Sequence, residues 1–201
     1  MKRDEKIIEQ LSQTGIAKGT ARASLELDAV MQRWRRRANK RELGRTALAE
    51  LGLDLELPEL DALVAVWAPD NEFGTDSAEE TTVGAVAQRL GIDPSRASRL
   101  TAALIDKGLV ARDVSQQDSR RTVLEPTEAG DQIVEAVRMH KLLVLGAFLA
   151  DWSEDDIRTF VPLFERFSAW TDDAHQHSAG ASAEIERLRR DLTTETATAD
   201  S

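Results

Sequence analysis

The feature that most restricts the possible fold of this chain is a pair of short helical stretches followed directly by two strand-like runs. The first stretch, "TTVGAVAQRLG", has Thr81 or Thr82 as its cap and Gly91 as its stop. The second, "IDPSRASRLTAALIDKG", has a capping Asp93, Pro94 in the first helical position and a terminating Gly108. This punctuation predicts two consecutive helices joined by a tight turn.

A β-hairpin is predicted directly after the second helix. The runs "LVARDVS" and "TVLEPT" are rich in Val and Leu, and the polar "QQDSRR" separates them. Thr127 then caps a long apolar helix over about 128–150, and the capping-box sequence "SEDD" opens another at Ser153. Upstream, helical spacing of apolar residues extends over about 21–51, and Pro58 begins a helix that Pro69 ends. The order helix, turn, helix, hairpin is that of a winged helix-turn-helix.

Positive charge is concentrated in this predicted region. The chain has a formal net charge of -10, yet residues 89–121 contain seven basic and four acidic residues, a net +3 that leaves -13 for the remainder. The overall field repels phosphates, so binding to nucleic acid requires a local basic surface. The chain has no cysteine, no apolar run of bilayer length and no signal-peptide pattern, so we expect a cytoplasmic protein without a membrane partner.

The second helix has a face suited to the major groove of DNA. At 3.6 residues per turn, Ala97, Leu100, Thr101 and Leu104 share one face, and Ser95, Ser98 and Arg99 lie opposite them. We therefore expect Arg99, with Ser95 and Ser98, to contact bases, and Arg96 on the flank to contact a phosphate.

The predicted hairpin loop has two arginines at its tip. Arg120 and Arg121 would reach an adjacent minor groove, where arginine is favoured. Asp118 would orient them through a local salt bridge or a turn. Either pair of arginines alone is typical of an ordinary solvated surface, but their order and spacing in an acidic chain favour DNA binding.

The sequence resembles the winged-helix region of the MarR (multiple antibiotic resistance regulator) family. The likeness lies in the run from Val86 to Arg112, in the "D.RR" wing at 118–121, and in the "T..G" opening of the next helix at Thr127 and Gly130. Pro126 departs from the family, as does the longer acidic loop over 70–80, which would displace the usual first strand of the wing sheet.

The resemblance implies a mainly α fold with a small β-hairpin wing and an interleaved helical dimerisation region. We predict an N-terminal extension over 1–20, a dimerisation region over 21–57 and 128–170, a winged helix-turn-helix over 58–127, and a polar, mostly disordered tail over 171–201. A homodimer would present two recognition helices to a pseudo-palindromic operator in double-stranded DNA. The composition favours a dimer independently, because the helix over about 128–150 and the one that follows it have Phe, Leu and Val on more than one face, more than a monomer of this size would readily bury.

The resemblance also implies a small aromatic or phenolic effector. Its lining would come from Trp34 and Arg37 on the first long helix, Trp67 on the next, and His140 on the helix after the wing. The alternative is that both tryptophans are core residues and that His140 is an internally bonded or surface histidine. We predict no cofactor and no metal site, since His175 and His177 have poor ligand spacing, and no enzymatic activity, since no nucleophile–base set or phosphate loop is present.

The expected function is a transcriptional regulator, a homodimeric repressor released from its operator by the effector. Two alternatives stay open. One is a constitutive or architectural winged-helix DNA-binding protein without an effector, and the other is a winged-helix protein-interaction module.

Overall fold

Helices joined by short turns form most of the structure, a computed structural model that describes residues 2–39, 41–67, 80–115, 118–171, 178 and 180–199. The described strands form a two-stranded antiparallel sheet, so the predicted fold class, mainly α with a small hairpin, is confirmed. The elements in chain order are α1 Lys2–Gln13, α2 Lys18–Asn39, α3 Glu42–Glu50, α4 Leu57–Trp67, α5 Val83–Leu90, α6 Pro94–Asp106, β1 Val110–Val114, β2 Thr122–Pro126, α7 Glu128–Leu149, α8 Glu154–Ser168, a 3₁₀ turn Ala169–Thr171 and α9 Ser182–Ala199.

Two structural units divide the chain. One contains residues 37–148, and therefore α3 to α6, the hairpin and nearly all of α7. The other contains residues 1–36 and 149–201, which bring together α1, most of α2, α8 and α9. The hydrophobic core described below belongs to the first unit.

The core of the first unit lies where α4, α5 and α6 meet the hairpin. Its fully buried side chains include Leu63 and Val66 of α4, Val86 of α5 and Leu104 of α6. Leu124 of β2 is also buried in this cluster, which fixes the hairpin against the helices. Each helix therefore turns its polar face outward because its apolar face is held here.

The predicted helix boundaries of this region are confirmed by their caps. Thr82 Oγ1 accepts a hydrogen bond from Ala85 N at 3.2 Å, and Gly91 ends α5 in the left-handed conformation. Asp93 Oδ1 accepts from Arg96 N at 2.8 Å to cap α6, and Gly108 follows that helix with a φ of 71°. Thr82 and Asp93 provide acceptors for the free N–H groups at the start of a helix. Gly91 and Gly108 allow the chain to reverse its direction at the end of one.

The hairpin sheet pairs residues 110–114 with residues 122–126 in antiparallel register, with Val110 opposite Pro126. Thr81, just before α5, adds one backbone bond to its edge, because Leu124 N donates to Thr81 O at 2.7 Å. Most of the acidic loop, residues 70–79, lies outside the described residues.

The junction between hairpin and α7 explains the "T..G" pattern. Thr127 Oγ1 donates to Gly108 O at 2.8 Å and accepts from Gly130 N at 3.1 Å. A Cβ on Gly130 would lie 2.1 Å from Leu109 O, so only glycine allows α7 to approach the turn after α6 this closely.

One sequence-based expectation is wrong. The helical pattern over 21–51 is not one helix but α2 and α3, with Arg41 between them at a positive φ of 53°. Within the C-terminal tail, the structure has the helix α9 over 18 residues. Charge pairs within α9 stabilise a segment that composition alone marks as polar.

None of the described helices is long and apolar enough to cross a membrane.

Candidate nucleic-acid interface

Helix α6 presents a small, polar and cationic face to solvent. Its opposite face packs on α4, α5 and β1, where Ala97, Thr101 and Leu104 are buried. The Thr101 hydroxyl donates back to Ala97 O at 3.0 Å, so this polar group is satisfied inside the helix. All four side chains of α6 that the sequence assigns to the DNA-facing surface are exposed: Ser95, Arg96, Ser98 and Arg99.

The start of α6 already holds a carboxylate. Asp93 takes up the N–H of Arg96, one of the donors that a helix N-terminus offers to an anion. Arginine side chains, rather than this helix end, are therefore the groups available to contact phosphate.

Asp118 shapes the wing loop by accepting hydrogen bonds from backbone N–H groups of the arginines, not from their guanidinium groups. Its Oδ1 accepts from Arg120 N at 3.0 Å, and its carbonyl accepts from Arg121 N at 2.9 Å. Of the two roles considered from sequence, the contacts are those of the turn-former. Both arginine side chains are exposed.

Ser115 is a residue of the wing that sequence reasoning missed. It is buried, its Oγ accepts from Asp118 N at 3.0 Å and donates to Glu80 Oε2, and its N–H donates to Arg121 O at 3.0 Å. Ser115 thus connects both sides of the wing loop to the segment that precedes α5. A single serine beside a polar loop gives no sequence signal of such a role.

The seven basic residues of 89–121 divide into two groups in the structure. Arg89 and Lys107 are bonded to the protein itself. The other five are exposed, and none of them forms an ion pair with a carboxylate in the part of the chain that the structure describes: Arg96, Arg99, Arg112, Arg120 and Arg121. Unpaired arginines retain all their donors for an incoming phosphate or base.

Arg89 closes the gap between α4 and the edge of the wing sheet. One guanidinium nitrogen donates to Ala65 O at 2.6 Å and to Thr81 Oγ1 at 3.1 Å. Thr81 in turn accepts the backbone bond from Leu124. Arg89 therefore holds together the last turn of α4, the entrance to α5 and strand β2.

Lys107 performs a similar task at the other end of α4. Its Nζ lies 2.8 Å from Glu59 Oε2 and 3.0 Å from Asp54 O. Both ends of the helix-turn-helix are thus bonded to α4, and the exposed face of α6 is held at a fixed angle to the wing.

Comparison with known proteins shows what this surface is similar to. Residues 74–121, which include α5, α6 and the start of the hairpin, match the sequence model of the MarR family. The resemblance seen in the sequence is therefore confirmed over this segment. A search of curated sequences finds no significant match to the chain.

Several solved structures have a fold similar to that of this chain. A MarR family protein from Bacillus stearothermophilus has a TM-score of 0.59 and 21% identity, over 73% of this chain and 94% of that one. RV1404 from Mycobacterium tuberculosis has a TM-score of 0.55 and 16% identity, over 72% of this chain and 91% of that one. MepR from S. aureus bound to ethidium bromide has a TM-score of 0.50 and 22% identity, over 68% of this chain and 94% of that one. The likeness shows that the chain shares the fold of these proteins.

The four residues predicted to line an effector site in this MarR-family fold have different surroundings. Trp34, on α2, is 67% exposed and is not a core residue of the described chain. Trp67 is half-buried against the core, with the Arg138 guanidinium 5.9 Å from the centre of its ring. His140 is buried and its Nε2 lies 2.7 Å from Glu50 Oε2. The side chain of Arg37 lies outside the described residues.

A concavity of about 550 Å³ lies beside Trp67. Its other lining residues come from the first turns of α7: Glu128, Asp131, Gln132 and Glu135. Three of these four are acidic, so the local field favours a cation over an anion. No group of three or more His, Asp or Glu side chains in the described ranges is arranged to hold a metal ion; His175 and His177 lie outside them.

Proposed function

We propose that this protein is a sequence-specific DNA-binding transcriptional regulator. The observation that supports it most is the set of five exposed arginines on α6 and the hairpin, none paired with a carboxylate among the described residues, in a chain that is otherwise strongly acidic. Arg99, with Ser95 and Ser98, contacts base edges in the major groove. Arg96 binds a phosphate and sets the register of the helix on the duplex. Arg120 and Arg121 enter the adjacent minor groove, oriented by Asp118.

The protein acts as a homodimer. The second half of α7 exposes Leu143 and Phe148 among other apolar residues, and α8 exposes Val161, Leu163 and Phe164. A soluble protein rarely leaves so many large apolar side chains on its helices unless a second surface covers them. A two-fold dimer with interleaved terminal helices presents two recognition helices, about one helical turn of DNA apart.

Such a dimer acts as a repressor that a small aromatic ligand releases from its operator. Trp67 borders a concavity of suitable size, and Trp34, Arg37 and His140 remain proposed contributors. The carboxylates beside Trp67 favour an aromatic cation there over a phenolic anion, whereas Arg37 would favour an anion. Thermal unfolding of the free protein with phenyltrimethylammonium and with 4-hydroxybenzoate distinguishes the two classes. A stabilising effect that Trp67→Ala abolishes supports the site, and no stabilisation by either compound contradicts the effector step.

DNA binding without an effector, and protein interaction through the winged helix, are the competing functions. The DNA upstream of the gene, titrated with the protein at several salt concentrations, separates them. Binding that is selective over scrambled DNA and falls steeply with salt supports a regulator. Absence of binding at low salt contradicts it and favours the interaction module. We propose no catalytic activity, since the exposed polar groups of this surface suit binding and not nucleophilic chemistry.

A further inference from the structure

The C-terminal helix α9 has an apolar stripe that no other described element covers. Ile185, Leu188 and Leu192 are spaced three and four residues apart, and are 46%, 58% and 66% exposed. Large aliphatic side chains at this spacing share one side of a helix. We call these three residues the α9 seam.

The charged side chains of α9 bond mainly within the helix itself. Arg187 lies 3.1 Å from Glu184, and Arg189 lies 3.4 Å from Glu186. Arg190 Nε also donates to Glu186 O at 3.4 Å. Such pairs stabilise the helix as a solvated rod, but they leave the seam in contact with water.

The seam has the spacing of a coiled coil. With Ile185 at position a of a heptad, Leu188 falls at d and Leu192 at the next a. Glu184 then occupies g and Arg189 the following e. In a parallel two-stranded coil, g of one helix faces that e position of the other, so Glu184 exchanges its partner Arg187 within the helix for Arg189 of the partner subunit. Two-fold symmetry forms this ion pair twice.

We propose that α9 pairs in parallel with α9 of a second copy of this chain and closes the dimer at its C-terminal end. The proposal rests on the homodimer of the proposed function and adds a contact to it. Three apolar layers are too few to associate two free helices, since isolated short helices are marginal in water. Tethered to an existing dimer, the two helices meet at an effective concentration in the millimolar range, which makes a short coil sufficient. A parallel pair also keeps the two-fold axis of a dimer on a palindromic operator.

The absence of cysteine from the chain permits a direct test on the full-length protein. Leu188→Cys places a thiol in the seam, and Glu186→Cys places one on the outer face of the same helix. Under mild oxidation, Leu188→Cys is expected to form a covalent dimer about tenfold faster or more, because only seam positions bring two Cα atoms within disulfide range. Equal rates for the two variants would overturn the pairing.

The orientation of the helices is tested by two more variants. In a parallel coil, Ile185→Cys and Leu192→Cys each cross-link to themselves, whereas in an antiparallel coil, where a positions face d positions, neither cross-links to itself. Sedimentation of each variant under reducing conditions measures its oligomeric state, and so separates the proposed α9 coil from the proposed homodimer. A reduced dimer that binds DNA but does not cross-link through the seam overturns the α9 coil alone. A monomer overturns both.

Discussion

Lys107 Nζ lies 2.8 Å from Glu59 Oε2 and joins the end of helix α6 to the first turn of α4. Glu59 is buried, and burial alone would raise the pKa of its carboxyl. The hydrogen bonds from Lys107 and from Glu56 N, with the lysine charge, outweigh this effect and hold the pKa of Glu59 below its usual value. The hydrogen bond to Glu59 correspondingly raises the pKa of Lys107.

The contact predicts a definite pH dependence of stability. A depressed carboxyl pKa stabilises the fold above the ordinary glutamate pKa of 4.5, and the contribution is lost as the pH falls through the lower, folded-state pKa. The raised pKa of Lys107 keeps its side of the pair intact until the pH rises above the ordinary lysine value of 10.5. Glu59→Gln should therefore be less stable than wild type at pH 7, and the difference should shrink as the pH falls below 4.5. Urea unfolding of the variant and of wild type at pH 7 and below pH 4.5 measures this difference in stability. A difference that does not change with pH would refute the prediction.

Arg99→Ala is expected to lower DNA affinity by about 1–3 kcal/mol and to relax base preference at one position of each half-site. The reason is that Arg99 is exposed on the face of α6 opposite its buried residues, with no ion pair to another described residue. Competition binding against single-base variants of the site measures it. Arg158→Ala is the matched control, since it removes the same charge from an arginine already paired with Asp155. Unchanged discrimination in Arg99→Ala would show that this residue does not read bases.

Arg120→Ala should weaken binding to all DNA sequences similarly and reduce the salt slope by about 1. Its side chain extends from a loop whose backbone Asp118 fixes, so the substitution removes a cation without altering the fold. Affinities at several salt concentrations give the slope. A slope identical to that of wild type would mean that the wing does not neutralise phosphate.

Arg89→Ala removes the same charge as Arg120→Ala, but it should lower stability and leave the salt dependence of DNA binding unchanged. It leaves Ala65 O and Thr81 Oγ1 without their guanidinium donor, which costs stability of about 1.5–3 kcal/mol. The salt slope of DNA binding should stay that of wild type, because Arg89 faces inward. Thermal unfolding and salt titration together test this. A reduced slope with unchanged stability would place Arg89 on the DNA surface instead.

Gly130→Ala should destabilise the protein by at least about 2 kcal/mol, because the new Cβ would overlap Leu109 O and force α7 from the end of α6. Gly84→Ala is the control. Its Cβ would lie 3.6 Å from Thr82 Oγ1, an ordinary contact, so the helix preference of alanine should leave stability equal or raise it slightly. Chemical denaturation compares the two variants, and equal effects would contradict the close packing at Gly130.

Local sequence rules located the elements around the site, because their signals are single residues with a strong backbone preference. Asp93, Pro94 and Gly108 mark the ends of α6 without any help from tertiary contacts. The inward roles of Arg89 and Ser115 were not predictable, since a basic or polar residue in a polar stretch gives no sign of its partners. The break at Arg41 was not predictable for a related reason. Apolar residues recur at helical spacing on both sides of a polar stretch there, and Arg41 pairs with Asp61, a residue twenty positions away.

The most direct test of the central claim is selection of binding sites from a randomised DNA duplex library by the full-length protein. If α6 reads the major groove as part of a dimer, the selected DNA should contain an inverted repeat with half-site centres about 10 bp apart. Selection with Arg99→Ala should lose one base preference in each half while keeping the spacing. A library that shows no enrichment over the input, at a salt concentration where the protein still binds DNA, would contradict sequence-specific recognition.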